Sequence, residues 1–166
     1  MATVKLLHFG TLDSTSLEEY YDVDIDVDRH KIEIDLNFND TIIEVPRLEV
    51  ANHFIENIRI HDLNNRKHLK ADFNNDEDGV VQEYIRHHLE ELATDELTRL
   101  IGAGTKTPDK PALLFKHLHL VRVGLYPDSE TEFATFDYSI GRELTDDLVV
   151  VFTDENGNLD YITTES

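Results

Sequence analysis

Residues 72–83, with the sequence DFNNDEDGVVQE, place oxygen-bearing side chains at alternate positions ahead of a glycine. This is the donor pattern of a calcium-binding loop, in which positions 1, 3, 5, 7 and 12 supply ligands and position 6 is glycine. Counted from Asp72, the donor positions are suitable, but Glu77 stands at position 6. Counted from Asn74, Gly79 reaches position 6, but Ile85 replaces the final carboxylate. Neither register meets both requirements, so a calcium site is not predicted.

The same acidic stretch is better suited to starting a helix. The helical pattern GVVQEYIRHHLEEL begins at Gly79, and a carboxylate just before a helix accepts hydrogen bonds from the free N–H groups of its first turn. We therefore predict that Asp76 or Asp78 caps this helix. No metal or cofactor is predicted, and the residues that come nearest to a metal site are Asp76, Asp78, Glu83, His87 and Glu91.

Nine histidines invite a catalytic or metal-binding interpretation, but their spacing gives it little support. His88 lies on the apolar stripe of its helix, which predicts a hydrogen-bonded core histidine. His87 and Glu91 are four residues apart, and two ligands without a third make a poor metal site. The chain has no cysteine and no Gly-x-Ser-x-Gly motif, and no catalytic residue is predicted. We favour a protein that is not an enzyme. The alternative is a metal-dependent enzyme or metal-binding module that uses histidines and carboxylates of residues 68–91.

A β-hairpin is predicted for the segment YDVDIDVDRHKIEIDLNF, because apolar and polar residues alternate with a period of two. Its apolar side chains would face the core, and its acidic side chains would face water. Evenly spaced carboxylates on two adjacent strands form a candidate docking stripe for a basic surface, and the alternative is a solvated edge. The stripe consists of Asp22, Asp24, Asp26, Glu33 and Asp35.

Helical periodicity replaces this alternation from about Pro46. It predicts helices over residues 47–60, over residues 63–73 and in GVVQEYIRHHLEEL, with shorter helical pieces up to about residue 118. Strand patterns then return in HLHLVRVGLYP, TEFATFDYSI, DLVVVFTD and NLDYITT, separated by turn signals such as Asn156-Gly157. The predicted fold class is α+β: an N-terminal β-hairpin, a central helical layer and a C-terminal antiparallel β-meander, in a single domain over residues 1–166.

Charge is the strongest global feature, since 35 acidic and 15 basic residues give a formal net charge of −20. Such a surface repels nucleic acids and anionic membranes, because binding them requires Lys and Arg at the phosphates. No apolar run approaches the length of a membrane helix, and no signal peptide is recognised. The sequence therefore predicts a cytoplasmic protein that binds neither nucleic acid nor membrane and has a basic protein as its partner. The alternative is that the acidity serves solubility alone.

Four segments together resemble one family of bacterial proteins: FGTLDSTSLEEYYDVDIDV, DEDGVVQEYIRHHLEEL, LVRVGLYPD and FATFDYSIGRELTDDLVVVFTDENGNLDYITTES. Their most specific parts are residues 137–141 with Thr145 and Asp146, the turn at residues 154–157 and the ending Glu165-Ser166. The family they resemble is the domain of unknown function two thousand and four. The resemblance implies a small cytoplasmic bacterial α+β protein, and it supplies no activity and no catalytic residues.

The segment FDYSIGRELTDDLVVVF is a second candidate site, an exposed corner that leads into a buried strand. The residues in question are Asp137, Tyr138, Arg142 and Asp146. The alternative is a purely structural corner whose carboxylates cap the local backbone. With no catalytic motif in the chain, the leading hypothesis is a non-enzymatic acidic protein that covers a basic partner, as immunity and inhibitor proteins do.

Overall fold

The computed structural model describes residues 2–75 and 77–166. These residues form an α+β fold, as the sequence predicts, with a small hairpin, a helical layer and a larger sheet. The strands are β1 (Thr3–Leu6), β2 (Gly10–Asp13), β3 (Tyr20–Val27), β4 (His30–Asn37), β5 (His119–Leu125), β6 (Ala134–Ser139), β7 (Leu148–Thr153) and β8 (Leu159–Glu165). The helices are α1 (Val45–Glu56), α2 (Ile58–Asn75), α3 (Val80–Glu91), α4 (Thr94–Ile101) and α5 (Lys110–Phe115).

The larger sheet has six strands in the order β3-β4-β5-β6-β7-β8. Strands β5 to β8 form the predicted antiparallel meander, and β3 pairs with β4 as the predicted hairpin. Strands β4 and β5 are parallel, and the helices α1 to α5 lie between them in the chain. A parallel pair needs a long crossover connection, and the helical layer supplies it.

The hairpin of β3 and β4 follows directly from its sequence. Its two connecting residues, Asp28 and Arg29, both have positive φ, at 48° and 73°. A two-residue type I′ turn requires positive φ at both positions, and its twist matches that of the strands it joins. The buried side chains Ile32, Ile34 and Leu36 recur at every second position of β4. The apolar side of the hairpin therefore faces the core, as predicted.

Strand β2 is a departure from the sequence prediction, which includes no strand over residues 10–13. Residues Gly10–Asp13 instead pair antiparallel with β1, and together they make a separate two-stranded sheet. Leu6 and Leu12 from this small sheet are buried in the common core. The segment is only four residues long, too short for its alternation to be recognised in the sequence.

Helices α1 and α2 cover one face of the larger sheet. The ring of Phe54, in α1, lies 5.3 Å from the ring of Phe133 and 5.9 Å from that of Phe136. The hydroxyl of Tyr138, in β6, donates a hydrogen bond of 2.7 Å to Asp62, in α2. Because side chains alternate along a strand, residues at the intervening positions of β6 lie on the opposite face.

Candidate functional site

The opposite face, which we call the outer face, carries most of the predicted acidic stripe. Strand pairing places Asp22 opposite Asp35, Asp24 opposite Glu33, and Asp26 opposite Lys31, and paired residues share a face. The pairing continues through Arg122 of β5 and Asp137 of β6. On strands β3 to β6, the charged residues of the outer face are Asp22, Asp24, Asp26, Lys31, Glu33, Asp35, Arg122 and Asp137, which gives six carboxylates and two cations.

The part of the outer face on β3 is open to solvent. The side chains of Asp22, Asp24 and Asp26 are exposed, and β3 is an edge strand of the sheet. Tyr20 donates a hydrogen bond of 2.9 Å from its hydroxyl to Oε1 of Glu33. Desolvation, this hydrogen bond and the neighbouring carboxylates raise the pKa of Tyr20 to about 12. The carboxylates of Asp22, Asp24, Asp26 and Glu33 lie close together along this edge and present a negative potential to an approaching group.

Asp35 corrects the prediction that all five carboxylates of the stripe face water. Its side chain is fully buried. Both of its oxygens accept hydrogen bonds from Arg122, at 2.6 Å from Nε and 2.9 Å from Nη2, and Asn37 donates a further hydrogen bond of 2.6 Å. A carboxylate can be buried when a cation and hydrogen bonds compensate its charge. Asp35 is thus part of an internal ion pair and not of the docking stripe.

Arg122 bridges two carboxylates across three strands. Its Nη1 lies 3.2 Å from Oδ2 of Asp137. Burial lowers the pKa of Arg122, but the hydrogen bonds and charge of Asp35 and the charge of Asp137 outweigh burial and hold its pKa above the ordinary value. Burial raises the pKa of Asp137, and Arg122 offsets that rise only in part. Of the two carboxylates, Asp35 is the better compensated.

Gly124 provides the space in which the Arg122 side chain lies. A Cβ atom at Gly124 would stand 2.7 Å from Nη2 of Arg122 and 2.9 Å from Oγ1 of Thr135. Both distances are below those of real Cβ contacts. A glycine inside a strand often marks a close approach by another group. Gly124 is the sequence signal that could have indicated the half-buried arginine.

The predicted exposed corner is only partly exposed. Arg142 and Asp146 are exposed, whereas Asp137 and Tyr138 are buried. Tyr138 points to the helical side, where burial and the charge of Asp62 raise its pKa well above the usual value. Because Asp137 and Tyr138 are consecutive strand residues, they lie on opposite faces and cannot form one surface site. The sequence prediction of a four-residue exposed site at this corner is therefore wrong.

The four metal-site candidates that the structure describes, Asp78, Glu83, His87 and Glu91, do not form a cluster suited to a metal ion. Asp76 lies outside the described residues, and among those that the structure describes, no group of three or more His, Asp or Glu side chains could hold a metal. Glu83 and His87 line a cleft of about 190 Å³ with Asp147 and Glu165. Asp78 and Glu91 are exposed and do not line it. The side chain of His87 lies 3.5 Å from Asp147.

His88 is a core histidine, as its place on the apolar stripe predicts. It is buried, its Nδ1 lies 2.7 Å from the carbonyl oxygen of Tyr84, and its Nε2 lies 2.9 Å from Oγ1 of Thr145. Because a backbone carbonyl can only accept, Nδ1 carries the proton and Nε2 accepts from the threonine hydroxyl in the neutral ring. Nδ1 therefore binds within α3, and Nε2 joins α3 to the loop before β7.

The start of α3 is held by a residue that the sequence interpretation did not choose. Oδ1 of Asp72, near the end of α2, accepts a hydrogen bond of 3.0 Å from the backbone N–H of Val81. The residue at the N-cap position, Gly79, makes no side-chain cap. Asp72 therefore acts as the cap from the preceding helix, nine residues back in the chain. This contact is invisible to a search for capping residues directly before a helix.

The arrangement defines an α+β protein whose mixed six-stranded sheet carries helices on one face and an acidic edge on the other. Within the described residues, no helix is long and apolar enough to cross a membrane. No family model, no curated protein and no solved structure matches the chain.

Proposed function

We propose that the protein is a non-enzymatic binding protein that receives a basic protein partner on the acidic edge of its outer face. The observation that carries this proposal is the pairing of Asp24 with Glu33. Like charges directly opposite each other destabilise a strand pair by a few tenths of a kcal/mol up to about 1 kcal/mol. A hairpin that keeps two carboxylates opposite each other is less stable for it, and electrostatic recognition of a basic partner is a reason for keeping them.

Aromatic side chains at both ends of the sheet extend the acidic edge into a recognition surface. Tyr20 lies on the edge strand β3, and Tyr161 lies on the other edge strand, β8, stacked on Phe152 with ring centroids 4.4 Å apart. Five strand spacings separate these edges, about 24 Å. Aromatic rings beside carboxylates suit Arg and Lys side chains, which bind both groups. Arginines of the partner would bind at both ends of this surface.

The net charge of −20 contributes at longer range. A strongly charged protein attracts an oppositely charged partner and speeds its association, and salt weakens that attraction. An immunity or inhibitor protein that covers the basic, nucleic-acid-binding surface of a toxin would use these properties. The proposal also includes a cytoplasmic location, as the sequence predicts, and membership of the bacterial family that the sequence resembles.

The test uses a triple variant of the exposed stripe, Asp22→Asn, Asp24→Asn and Asp26→Asn. Its matched control is Glu90→Gln, Glu91→Gln and Asp95→Asn, which removes the same charge from exposed helical positions. Proteins captured from native lysate by the wild type would be identified, and the basic one would be purified and titrated by calorimetry. The stripe variant should bind it about tenfold or more weakly, while the control should retain affinity close to that of the wild type. Added salt should weaken the wild-type complex.

Three results would contradict the proposal. The first is that no basic protein binds. The second is that both triple variants weaken binding equally, since charge would then act without a defined surface. The third is that the stripe variant keeps its partner but self-associates in size-exclusion chromatography. In that case, the aspartates would serve to keep the edge strand from pairing with other chains.

A further inference from the structure

A cleft between α2 and α5 differs in charge from the rest of the molecule. Its volume is about 330 Å³, and its lining includes the cations Arg66, Lys70 and Lys116. None of the described residues that line it is acidic. Three of the 15 basic residues of the chain therefore gather around one cleft, in a protein with 35 acidic residues.

Two of these cations are free of ion pairs within the described part of the chain. Arg66 is paired with the buried Asp62 at 3.0 Å, so its charge is largely compensated. Lys70 and Lys116 are exposed, and neither forms a salt bridge with a described residue. Two ammonium groups at the mouth of the cleft are thus available to an anion.

The floor of the cleft is apolar. The rings of Phe73 and Phe115 are stacked, with centroids 4.5 Å apart and planes inclined by 2°. Leu69 and Leu118, both buried, complete the floor. Positions 66, 69, 70, 73 and 74 share one face of α2 because they recur at helical spacing. An apolar floor with a few charged groups at the rim is the usual composition of a small-molecule site, and the volume falls in the usual range.

We propose that this cleft binds a small organic anion, a monocarboxylate with an apolar body. The body would lie on Phe73, Phe115 and Leu69, and the carboxylate would meet the ammonium groups of Lys70 and Lys116. The sign of the rim argues for an anion, because cations would find carboxylates over most of the remaining surface. The proposal is separate from the acidic edge, which lies on the other side of the sheet from α2.

The experiment titrates the isotope-labelled full-length chain and follows its backbone amide resonances. Octanoate and 3-phenylpropionate test an aliphatic and an aromatic body, octylammonium reverses the charge, and acetate lacks the body. We expect saturable shifts confined to residues 66–74 and 112–118 with at least one of the first two probes. Octylammonium and acetate should bind about tenfold or more weakly, since each loses either the charge-assisted contacts or the apolar contacts.

Two kinds of variant locate the site. Lys70→Glu with Lys116→Glu should reduce the affinity for the carboxylate about tenfold or more. Lys67→Glu with Lys5→Glu is the matched control, because both lysines are exposed and neither lines the cleft. Ala112→Trp places a large side chain at an exposed lining position and should block binding without removing a core residue. Shifts that do not saturate, equal binding of octanoate and octylammonium, or equal losses in the two lysine pairs would overturn the proposal.

Discussion

At the scale of single residues, Arg122 decides whether the buried charges of the outer face are tolerated. Its guanidinium compensates Asp35, which has no solvent exposure. Removing one partner of such a pair leaves an uncompensated buried charge, which costs about 3 kcal/mol or more. We therefore expect Arg122→Met to lower the free energy of unfolding by about 3 kcal/mol, measured by urea denaturation.

Asp137 provides the comparison for this variant. Burial raises the pKa of Asp137, so its charged form is poorly compensated in the folded protein. Asp137→Asn removes that charge and keeps an oxygen to accept from Arg122, and we expect it to change stability by less than about 1 kcal/mol. If both variants cost the same, the ion pair of Arg122 with Asp35 is not the dominant interaction in this network.

We expect His61 to make the stability of the fold depend on pH. Its ring stacks on Phe54 with centroids 4.2 Å apart, and it lies against Gly157 of the β7–β8 turn. Burial, with a smaller contribution from His53, lowers the pKa of His61 below 6.5. A lowered pKa means that the folded state binds fewer protons than the unfolded chain. Its contribution is therefore complete above pH 6.5 and is lost as the pH falls below that value.

The corresponding measurement compares urea midpoints at about pH 7.5 and about pH 5.5, on either side of the ordinary titration of histidine. The wild type should lose more stability on acidification than His61→Gln, which cannot be protonated. His119 has a pKa lowered by burial as well, so adding His119→Gln should reduce the pH dependence further. Equal losses in the wild type and in His61→Gln would show that His61 is not held in its neutral form.

Residue-scale predictions from sequence were correct where they depended on near neighbours. His88 could be placed in the core because its own helix defines an apolar stripe. Asp35 occupies a polar position in the alternation of β4, and the cation that compensates its buried charge, Arg122, lies 87 residues away in the chain. The prediction that Asp137 and Tyr138 are exposed was wrong for the same reason. Strand β6 lies between β5 and β7, and these distant segments determine what covers its side chains.

At the scale of elements, Asp72 is one of the side chains that link α2 to α3, together with Gln82, which donates a hydrogen bond to the Phe73 carbonyl. Asp72 accepts a hydrogen bond from the Val81 N–H, one of the free donors of the first turn of α3. Asp72→Ala should cost about 1 kcal/mol, the usual value for a lost cap. Hydrogen exchange at Val81 should also become faster. Asp72→Asn keeps the acceptor oxygen and is the matched control, and a loss as large as that of the alanine variant would contradict the capping role.

The hairpin of β3 and β4 allows two matched substitutions with opposite outcomes. Asp24 faces Glu33, whereas Asp26 faces Lys31. Asp24→Thr removes a like-charge pair and should stabilise the protein by about 0.5 kcal/mol. Asp26→Thr removes an opposite-charge pair and should gain less or lose stability, although the gain in strand propensity is the same. Equal urea midpoints for the two variants would show that the like-charge pair of Asp24 and Glu33 does not destabilise the hairpin.

Most elements could be predicted because each carries its own periodicity, as the alternation of β4 and the helical spacing of α3 show. Two features could not. Strand β2 is too short to display a period, and the parallel pairing of β4 with β5 joins segments separated by the whole helical layer. Alternation states which side of a strand is buried, but it does not state which strand lies beside it.

At the scale of the whole molecule, the two proposed sites divide the charge between opposite sides. The acidic edge lies on the outer face, and the cationic cleft is formed by α2 and α5 on the helical side. The average charge of the chain predicts the first site and hides the second, because three cations count little in a net charge of −20. Lys70 and Lys116 are far apart in the sequence, and they line one cleft because the fold places α2 beside α5.

The same excess of negative charge should make the fold more stable in salt. Like charges repel in the compact state, and raising the ionic strength from about 0.01 M to about 0.15 M shortens the screening length from about 30 Å to about 8 Å. We expect the urea midpoint to rise, with a gain on the order of 1 kcal/mol in the free energy of unfolding. Urea is the suitable denaturant because it carries no charge. The triple variant of Asp22, Asp24 and Asp26 should gain less from salt than the wild type, because it starts with less repulsion. A midpoint that falls with salt would mean that favourable ion pairs, with Arg122 among them, outweigh the repulsion of the surface.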